Sequence, residues 1–185
     1  MTKGGDTMNL YLREIHDEDK RELLEMVDEI ENDVIEDKYE GFRNIKGLTA
    51  DNYSEFMIDL ERNKNTKLYK PHLVDQTTYI LVDEEDHIYG GTNLRHELNE
   101  GLLTHGGHIG YLIRPSERMK GYGSLILKLV LEKCVEMGID KALVTCREEN
   151  IGSAKIIEKN GGVYEDSRKN EDDNKMYRRY WINLK

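Results

Sequence analysis

A strand–helix–strand stretch in the second half of the sequence constrains the fold more than any other feature. A first strand is predicted at His108–Arg114 and ends at Pro115. The strongly apolar segment 121–137 predicts a helix that Gly138 ends, and Lys141–Cys146 has the composition of a buried strand. Two strands joined by a helix at this spacing form a βαβ unit. They are therefore expected to be parallel strands of one sheet.

The rest of the sequence adds elements around this unit. Apolar residues at helical spacing predict helices over 23–34 and 53–60, and two β-rich runs predict a hairpin. The glycine-rich segment 101–107 is predicted to be a loop. The remaining predicted strands and helices are the hairpin strands 77–83 and 88–95, a first strand at 10–13, a short helix at 152–159, and last strands at 163–166 and 175–182. The predicted fold is mixed α/β, with a central mixed sheet flanked by helices in the order βααβββαβαββ.

Length and composition limit the classes of protein that fit. The chain has 185 residues, which suits a single domain at 9–185 after a polar N-terminus at 1–8 that we expect to be flexible. Its net charge of −10 argues against a broad nucleic-acid or membrane surface, because both need clustered lysine and arginine. Cys134 and Cys146 are too few for a disulfide framework or a cysteine-only zinc site. No apolar run could span a bilayer, and a cytoplasmic protein is expected by default.

The connection between the first strand and the helix of the βαβ unit carries the clearest chemical pattern. It has the form Arg118-x-x-Gly121-x-Gly123, with Lys120 adding a second positive charge. Glycines let a backbone turn tightly, and the first N–H groups of a helix lack internal acceptors. Such a turn can bind a phosphate group, although a tight strand-to-helix connection explains the isolated pattern equally well.

Two other phosphate-binding motifs are excluded by detail. A P-loop needs Gly-Lys-Ser or Gly-Lys-Thr after its spacer, and the sequence contains neither string. A dinucleotide-binding fingerprint needs a third glycine, and Ile126 occupies that position. The turn is therefore interpreted as neither of these.

The turn and a second, downstream motif together resemble the GNAT superfamily of N-acetyltransferases. In that family a strand is followed by x-Pro-x-x-Arg/Gln-x-x-Gly-x-Gly/Ala and a helix, which Pro115, Arg118, Gly121 and Gly123 match. Many relatives also carry a later motif of Asn, a small residue, an aromatic residue, Lys and Gly. The corresponding residues here are Asn150, Ser153, Ile157, Lys159 and Gly161. The resemblance is specific over about 108–162 and only architectural before residue 77.

The resemblance implies a binding site for acetyl-CoA as co-substrate. His105 and His108 have no matching cysteine, so no metal is expected. Backbone groups of Leu112, Ile113 and Arg114 would pair with the pantetheine arm. Asn150 would lie near that arm where the two parallel strands diverge. The pyrophosphate would be held by Arg118 and by the backbone N–H groups that follow it. These groups belong to Met119, Lys120, Gly121, Tyr122, Gly123 and Ser124. A backbone N–H on the first strand would stabilise the oxyanion while an amine attacks directly, without an acyl-enzyme.

One departure from the family concerns the general acid. Many relatives have a tyrosine, which protonates the leaving thiolate, at the position of Ile157. Isoleucine has no proton to give, so another group must act or the thiolate leaves unassisted. By motif or element the nearest tyrosines are Tyr122, Tyr164 and Tyr177.

A second question is which group accepts the proton of the attacking amine. Relatives often have a glutamate at the start of the strand before the motif, where His108 stands here. A histidine hydrogen-bonded at a strand end is the alternative interpretation of this residue. His105 in the glycine-rich segment is a substrate-facing candidate, and Glu97 and Glu100 are alternative bases.

The predicted function is acetyl transfer from acetyl-CoA to a primary amine on a small molecule or a peptide. A different acyl group or an N-terminal peptide amine is the alternative within the same chemistry. A non-catalytic acyl-CoA-binding or regulatory module, or a protein-interaction domain, would keep the fold without turnover. A homodimer is compatible with the sequence, which does not specify the acceptor.

Overall fold

A computed structural model gives the structure of the protein, and it describes residues 9–35 and 38–185. Residues 1–8, where a flexible N-terminus is predicted, lie outside the described residues. The strands are β1 (Tyr11–Glu14), β2 (Gln76–Val82), β3 (Ile88–Arg95), β4 (Ile109–Ile113), β5 (Lys141–Arg147), β6 (Val163–Asn170) and β7 (Lys175–Asn183). The helices are α1 (Lys20–Glu31), α2 (Tyr53–Asn63), α3 (Thr66–Tyr69), α4 (Glu100–Thr104), α5 (Tyr122–Glu136) and α6 (Ile151–Lys159). The predicted mixed α/β order is confirmed, with the short helices α3 and α4 added.

The seven strands form one mixed sheet in the order β1-β2-β3-β4-β5-β7-β6. Within the described chain, β4 and β5 are the parallel neighbours and the other neighbouring strands are antiparallel. The parallel pairing predicted from the βαβ unit is confirmed. These two strands share a single registered pair, Ile109 opposite Val144, and so they diverge beyond it.

Helices cover both faces of the sheet because successive residues of a strand point to opposite sides. On β2, Ile80 and Val82 are buried in a cluster with α1 and α2, whereas Leu81 is buried with Ile126 of α5. A further buried cluster joins α5 and α6 to β4 and β5. Burying a side chain of this size stabilises a fold by about 1.5–3 kcal/mol, so both layers are held firmly against the strands that form the site.

Two segments differ from the sequence prediction. The glycine-rich segment 101–107 is not entirely a loop, because the Asn99 side chain accepts the N–H of Leu102 at 2.9 Å and starts α4. The segment between the last two predicted strands, 163–166 and 175–182, belongs in large part to β6, which runs to Asn170 and pairs with β7 up to Lys175. The carboxylates of that strand form ion pairs with the buried Arg179, which explains why a charged segment is ordered.

Candidate active site

A cavity of about 190 Å³ opens where β4 and β5 diverge. Its walls come from the ends of β3, β4 and β5, from the start of α6, and from the segments that precede β4 and follow α1. The residues of its wall that bear on chemistry are Arg43, Arg95, His105, Tyr111, Asn150 and Ser153. Strands that share one registered pair leave their facing backbone edges unpaired, so an extended ligand can enter between them.

The turn before α5 is open and rich in backbone donors. Met119 and Gly121 both adopt left-handed backbone conformations, with φ of 62° and 91°. Among the described residues, none accepts the backbone N–H groups of residues 119–123, whereas Ser124 donates to the carbonyl of Gly121 at 3.1 Å. A Cβ on Gly121 would meet nothing within 4 Å, and Met119 is fully exposed. The free donors are therefore residues 119–123, and Ser124 is not one of them.

The cations of this turn are already paired. The Arg118 guanidinium forms an ion pair with Asp33 and donates through Nε to the carbonyl of Ile113 at 3.3 Å. Lys120 lies 3.0 Å from a Glu117 carboxylate oxygen. The expected contribution of both side chains to a positive phosphate site is thus reduced, and the backbone N–H groups remain as the principal donors.

Two predicted members of the turn have structural partners inside the fold. Gly123 is buried, and a Cβ there would lie 2.7 Å from Cδ1 of Ile156 on α6. Ser124 Oγ accepts a hydrogen bond from the Asn160 side chain at 3.2 Å. Both residues therefore fix α5 against α6. A side chain at 123 would meet α6, so helix packing favours glycine at this position.

The backbone edges of β4 alternate between its two neighbours. Arg114 donates its N–H to the carbonyl of Tyr89 at 2.9 Å, and Leu112 lies opposite Gly91 in the same antiparallel ladder. Because the bonds of a ladder alternate, Tyr111 and Ile113 direct their backbone groups toward the gap beside β5. Of the three residues predicted to pair with an extended ligand, Ile113 fits, whereas Leu112 and Arg114 face β3.

The side chain of Arg114 is also engaged elsewhere. It is buried and forms ion pairs with Glu29 at 2.6 Å and Glu22 at 2.9 Å, both on α1. Hydrogen bonds to these carboxylates raise the pKa of Arg114 against the opposing effect of burial. The residue therefore holds α1 against the end of β4, and its guanidinium is already paired with carboxylates.

Asn150, Ser153 and Tyr111 form a polar group at the mouth of the gap. The side chain of Asn150 accepts the N–H of Ser153 at 3.0 Å and caps α6. The Ser153 hydroxyl shares a hydrogen bond of 2.9 Å with the Tyr111 hydroxyl. Ser153 and the fully buried Ile157 are four residues apart and lie on one face of α6. A phenol from β4 thus reaches the helix face on which the resemblance expects a tyrosine.

His108 has a structural environment. The residue is 7% exposed, and its Nδ1 accepts the backbone N–H of Leu143 at 3.0 Å. Burial, helped by the nearby positive charge of Arg95, lowers its pKa to about 4. An Nδ1 that accepts leaves the neutral ring with its proton on Nε2, and the residue is absent from the cavity wall described above. This geometry favours the strand-end interpretation over a catalytic base.

The other candidates divide between the cavity and the surface. His105 and Tyr177 line the cavity with ring centroids 5.6 Å apart, and Tyr177 donates to Asp173 at 2.7 Å. Burial raises the pKa of Tyr177 to about 12. Neither Glu97 nor Glu100 forms part of the cavity wall. The remaining tyrosine candidates lie elsewhere, Tyr122 against the ring of Tyr89 and Tyr164 against the ring of Tyr180.

The sequence interpretation did not assign roles to Tyr111, Arg43 or Arg95. Tyr111 stands on the strand that precedes the first motif. The sequence signal for its role was indirect: strand alternation sets the side to which Tyr111 points, and helical spacing puts Ser153 on the same face as Ile157. The two arginines lie 52 positions apart and meet through the fold, so no local pattern pointed to them. In the described part of the chain, no cluster of His, Cys, Asp and Glu could hold a metal ion.

The mixed sheet with a diverging parallel pair, an open N–H-rich turn and flanking helices defines the class of acyl-CoA N-acyltransferase folds. The model of the acetyltransferase (GNAT) domain family matches residues 9–163 of the chain. The protein therefore belongs to the GNAT acetyltransferase family. No curated protein matches the chain in sequence.

Solved structures share the fold at low sequence identity. The spermidine N-acetyltransferase of Vibrio cholerae is 17% identical, with a TM-score of 0.63 and 95% of each chain covered. A protein of the same organism assigned as a ribosomal-protein-serine acetyltransferase is 16% identical, with a TM-score of 0.64, covering 96% of this chain and 95% of that one. An acetyltransferase from Salmonella typhimurium is 11% identical, with a TM-score of 0.60, covering 95% of this chain and 94% of that one. None of the helices in residues 9–35 and 38–185 is long and apolar enough to cross a membrane.

Proposed function

We propose that the protein transfers an acetyl group from acetyl-CoA to a primary amine by direct attack. The observation that carries this proposal is the run of free backbone N–H groups at 119–123, at the start of α5 and beside the gap between β4 and β5. The positive end of the α5 dipole favours an anion at the same place. The Vibrio cholerae neighbour is described in complex with CoA and spermine, and the Salmonella neighbour with its cofactor acetyl-CoA.

The turn suits a diphosphate because it offers donors without bulk. Met119 and Gly121 have left-handed backbone conformations, and alternation of this kind lets successive N–H groups point toward one anion. The direction in which a Cβ of Gly121 would point is open, which leaves room for the phosphate oxygens. Arg118 and Lys120 are paired with carboxylates, so the proposed contact is made chiefly by the backbone.

The gap between the strands suits an extended pantetheine arm. Tyr111 and Ile113 direct their backbone groups into the gap, and Asn150 stands across it at the start of α6. One of these N–H groups would stabilise the negative charge that develops on the thioester oxygen. Acetyl-CoA, when bound, supplies an acetyl thioester whose sulfur leaves as a thiolate.

Tyr111 is the proposed general acid. Burial raises the pKa of its phenol, so the hydroxyl stays protonated throughout the neutral pH range. In our scheme the C–N bond forms as the C–S bond breaks, and Tyr111 gives its proton to the departing sulfur. The hydrogen bond to Ser153 supplies the path by which the phenol regains a proton. This assignment fills the role left empty by Ile157.

His105 is the proposed acceptor of the amine proton. It is a half-buried imidazole in the cavity wall, and its ring packs against Tyr177. The attacking amine must lose one proton for each acetyl group transferred, and a neutral imidazole takes it directly or through water. His108 has no free nitrogen acceptor for the same task.

Binding and turnover measured on the same protein test the proposal. Calorimetric titration with acetyl-CoA should give saturable binding, and a panel of primary amines should release thiol at a rate above that without amine. Binding without turnover on any amine would favour the non-catalytic acyl-CoA-binding module. Failure to bind acetyl-CoA would favour a protein-interaction domain.

A further inference from the structure

The wall of the cavity between β4 and β5 carries positive charge that the protein does not neutralise. Arg43 and Arg95 both line the cavity, and among the described residues neither has a carboxylate within ion-pair distance. Arg43 is exposed and Arg95 is half-buried, whereas the buried arginines Arg114 and Arg179 are paired with Asp or Glu. Two unneutralised guanidinium groups at one site are notable in a chain of net charge −10.

Arg95 is held in place by neutral acceptors. Its Nη1 donates to the carbonyls of Gly106 and Gly107, each at 3.1 Å. The described part of the chain gives its Nε and Nη2 no acceptor, and a guanidinium has five donors. A partly buried cation is costly unless paired, so this geometry suits a further anionic partner that comes from outside the chain.

Arg43 is presented by a fixed loop. The side chain of the next residue, Asn44, exchanges amide hydrogen bonds of 2.9 and 3.0 Å with Asn93 of β3. Asn44 also donates to Thr78 of β2 at 2.9 Å. These bonds tie the backbone of Arg43 to the sheet while its side chain makes no hydrogen bond or ion pair with the described residues. The positive charge is thus kept at the mouth of the cavity.

The acidic group of the cavity is balanced within the protein. Glu40 lines the cavity, and its Oε1 lies 3.2 Å from Nε of the buried Arg147. The other charged side chains of the wall are those of Arg43 and Arg95. The charged groups of the cavity wall therefore sum to an excess of positive charge.

From this arrangement we infer that the acceptor is a primary amine that also carries a carboxylate or a comparable small anion. The inference rests on the proposed acetyl transfer and names its acceptor class. The anion would bind between Arg43 and Arg95 while the amine faces the gap beside Tyr111. A polyamine would instead bring further positive charges to two arginines that have no counter-charge, which opposes binding.

Matched acceptors test the inference. We would measure kcat/KM for glycine, β-alanine and 4-aminobutanoate against the amide of each acid, and for spermidine, with acetyl-CoA saturating. At least one acid should exceed its amide by about tenfold or more, the scale of one lost hydrogen bond to a charged group. Amides or spermidine that equal or exceed every acid would overturn the inference.

Two arginine variants make the test specific. Arg43→Gln should reduce the acid-over-amide preference at least about fivefold and leave the affinity for acetyl-CoA unchanged. Arg21→Gln, on the exposed side of α1, is the matched control and should change neither quantity. A preference that survives Arg43→Gln would contradict the assignment of the anion site.

The two proposals fail in distinguishable ways. A protein that binds acetyl-CoA and acetylates amides but not acids keeps the proposed function and loses this inference. A protein that binds acetyl-CoA but acetylates no amine, or that does not bind it, overturns both.

Discussion

The hydroxyl of Tyr111 on β4 lies 2.9 Å from the hydroxyl of Ser153 on α6, across the gap between the two diverging strands. The bond joins the strand that would bind the acyl carrier to the helix face that carries Ile157. The proposed proton donor is thus a residue of the sheet, because Ile157, at the helix position where the resemblance expects a tyrosine, is aliphatic.

Replacement of this phenol tests its role as general acid. Tyr111→Phe should lower kcat about 100-fold, near the lower end of general-acid contributions, and leave the Kd of acetyl-CoA within about twofold. Because burial raises the pKa of Tyr111, the deficit should be constant between pH 6 and 9. Steady-state kinetics across that range would measure it.

Tyr164→Phe is the control for this experiment. Tyr164 is an exposed tyrosine of β6 whose hydroxyl bonds Ser167 at 3.1 Å, and its loss should leave kcat unchanged. Equal kcat values for wild type and Tyr111→Phe would show that the thiolate leaves without this acid.

The proposed phosphate-binding role of the turn before α5 can be tested by two substitutions that differ in charge and share one backbone conformation. Asn and Asp tolerate left-handed φ similarly, so Gly121→Asn and Gly121→Asp share the conformational cost and differ in one charge. The Kd of acetyl-CoA should be at least about tenfold higher for Asp than for Asn, because the carboxylate would face a diphosphate. Calorimetry on both variants gives the ratio.

The other end of α5 provides the matched control. Gly138 has φ of 76° and, like Gly121, has open space where a Cβ would point. Gly138→Asn and Gly138→Asp should bind acetyl-CoA equally. Equal affinities of the Asn and Asp variants at position 121 would show that the diphosphate does not bind at this turn.

Much of the fold could be predicted because it depends on local patterns. The βαβ unit, the parallel pairing of β4 with β5 and the glycine that ends α5 follow from residues close together in sequence. The partners of the charged groups could not be predicted in this way. Arg118 pairs with Asp33 and Arg114 with Glu29, each 85 residues away, so only the assembled fold shows that these cations are neutralised.

The cavity wall depends on a close backbone approach that permits no side chain. A Cβ on Gly110 of β4 would lie 2.5 Å from the carbonyl oxygen of Gly41 in the segment that carries Arg43. Gly110→Ala should therefore lower the free energy of unfolding by about 1–3 kcal/mol, because backbone must move to accommodate it. Urea unfolding would measure the loss.

Gly101→Ala is the matched substitution for comparison. Gly101 lies in α4, and its Cβ would meet only the Asn99 side chain, at 3.6 Å. Alanine there should be neutral or stabilising by up to about 1 kcal/mol, because it favours a helix over glycine. Equal stabilities of the two variants would mean that the backbone at Gly41 moves to accommodate the new Cβ at little cost in free energy.

His108 should affect stability at acidic pH and not the pH dependence of catalysis. The pKa of its folded form is lowered to about 4, while the unfolded chain titrates near the ordinary value of about 6.5. As the pH falls through this window the unfolded state binds a proton that the folded state does not, so His108 makes the protein less stable there. The His108→Asn variant, whose amide oxygen can still accept the Leu143 N–H, should lose about 3 kcal/mol less than wild type between pH 7 and 4. His72→Asn, at an exposed position, should reproduce the wild-type dependence.

The same variant separates the two histidines in catalysis. With His108→Asn, the profile of kcat/KM against pH should keep its shape between pH 6 and 9. With His105→Gln, the rate at pH 7 should fall about 10²-fold and recover partly at pH 9, where more amine is already unprotonated. This contrast follows from the positions of the two rings. His105 lines the cavity, whereas the acceptor nitrogen of His108 already accepts the N–H of Leu143 on β5. A loss at pH 7 that recovers at pH 9 in His108→Asn alone would return the role of base to His108.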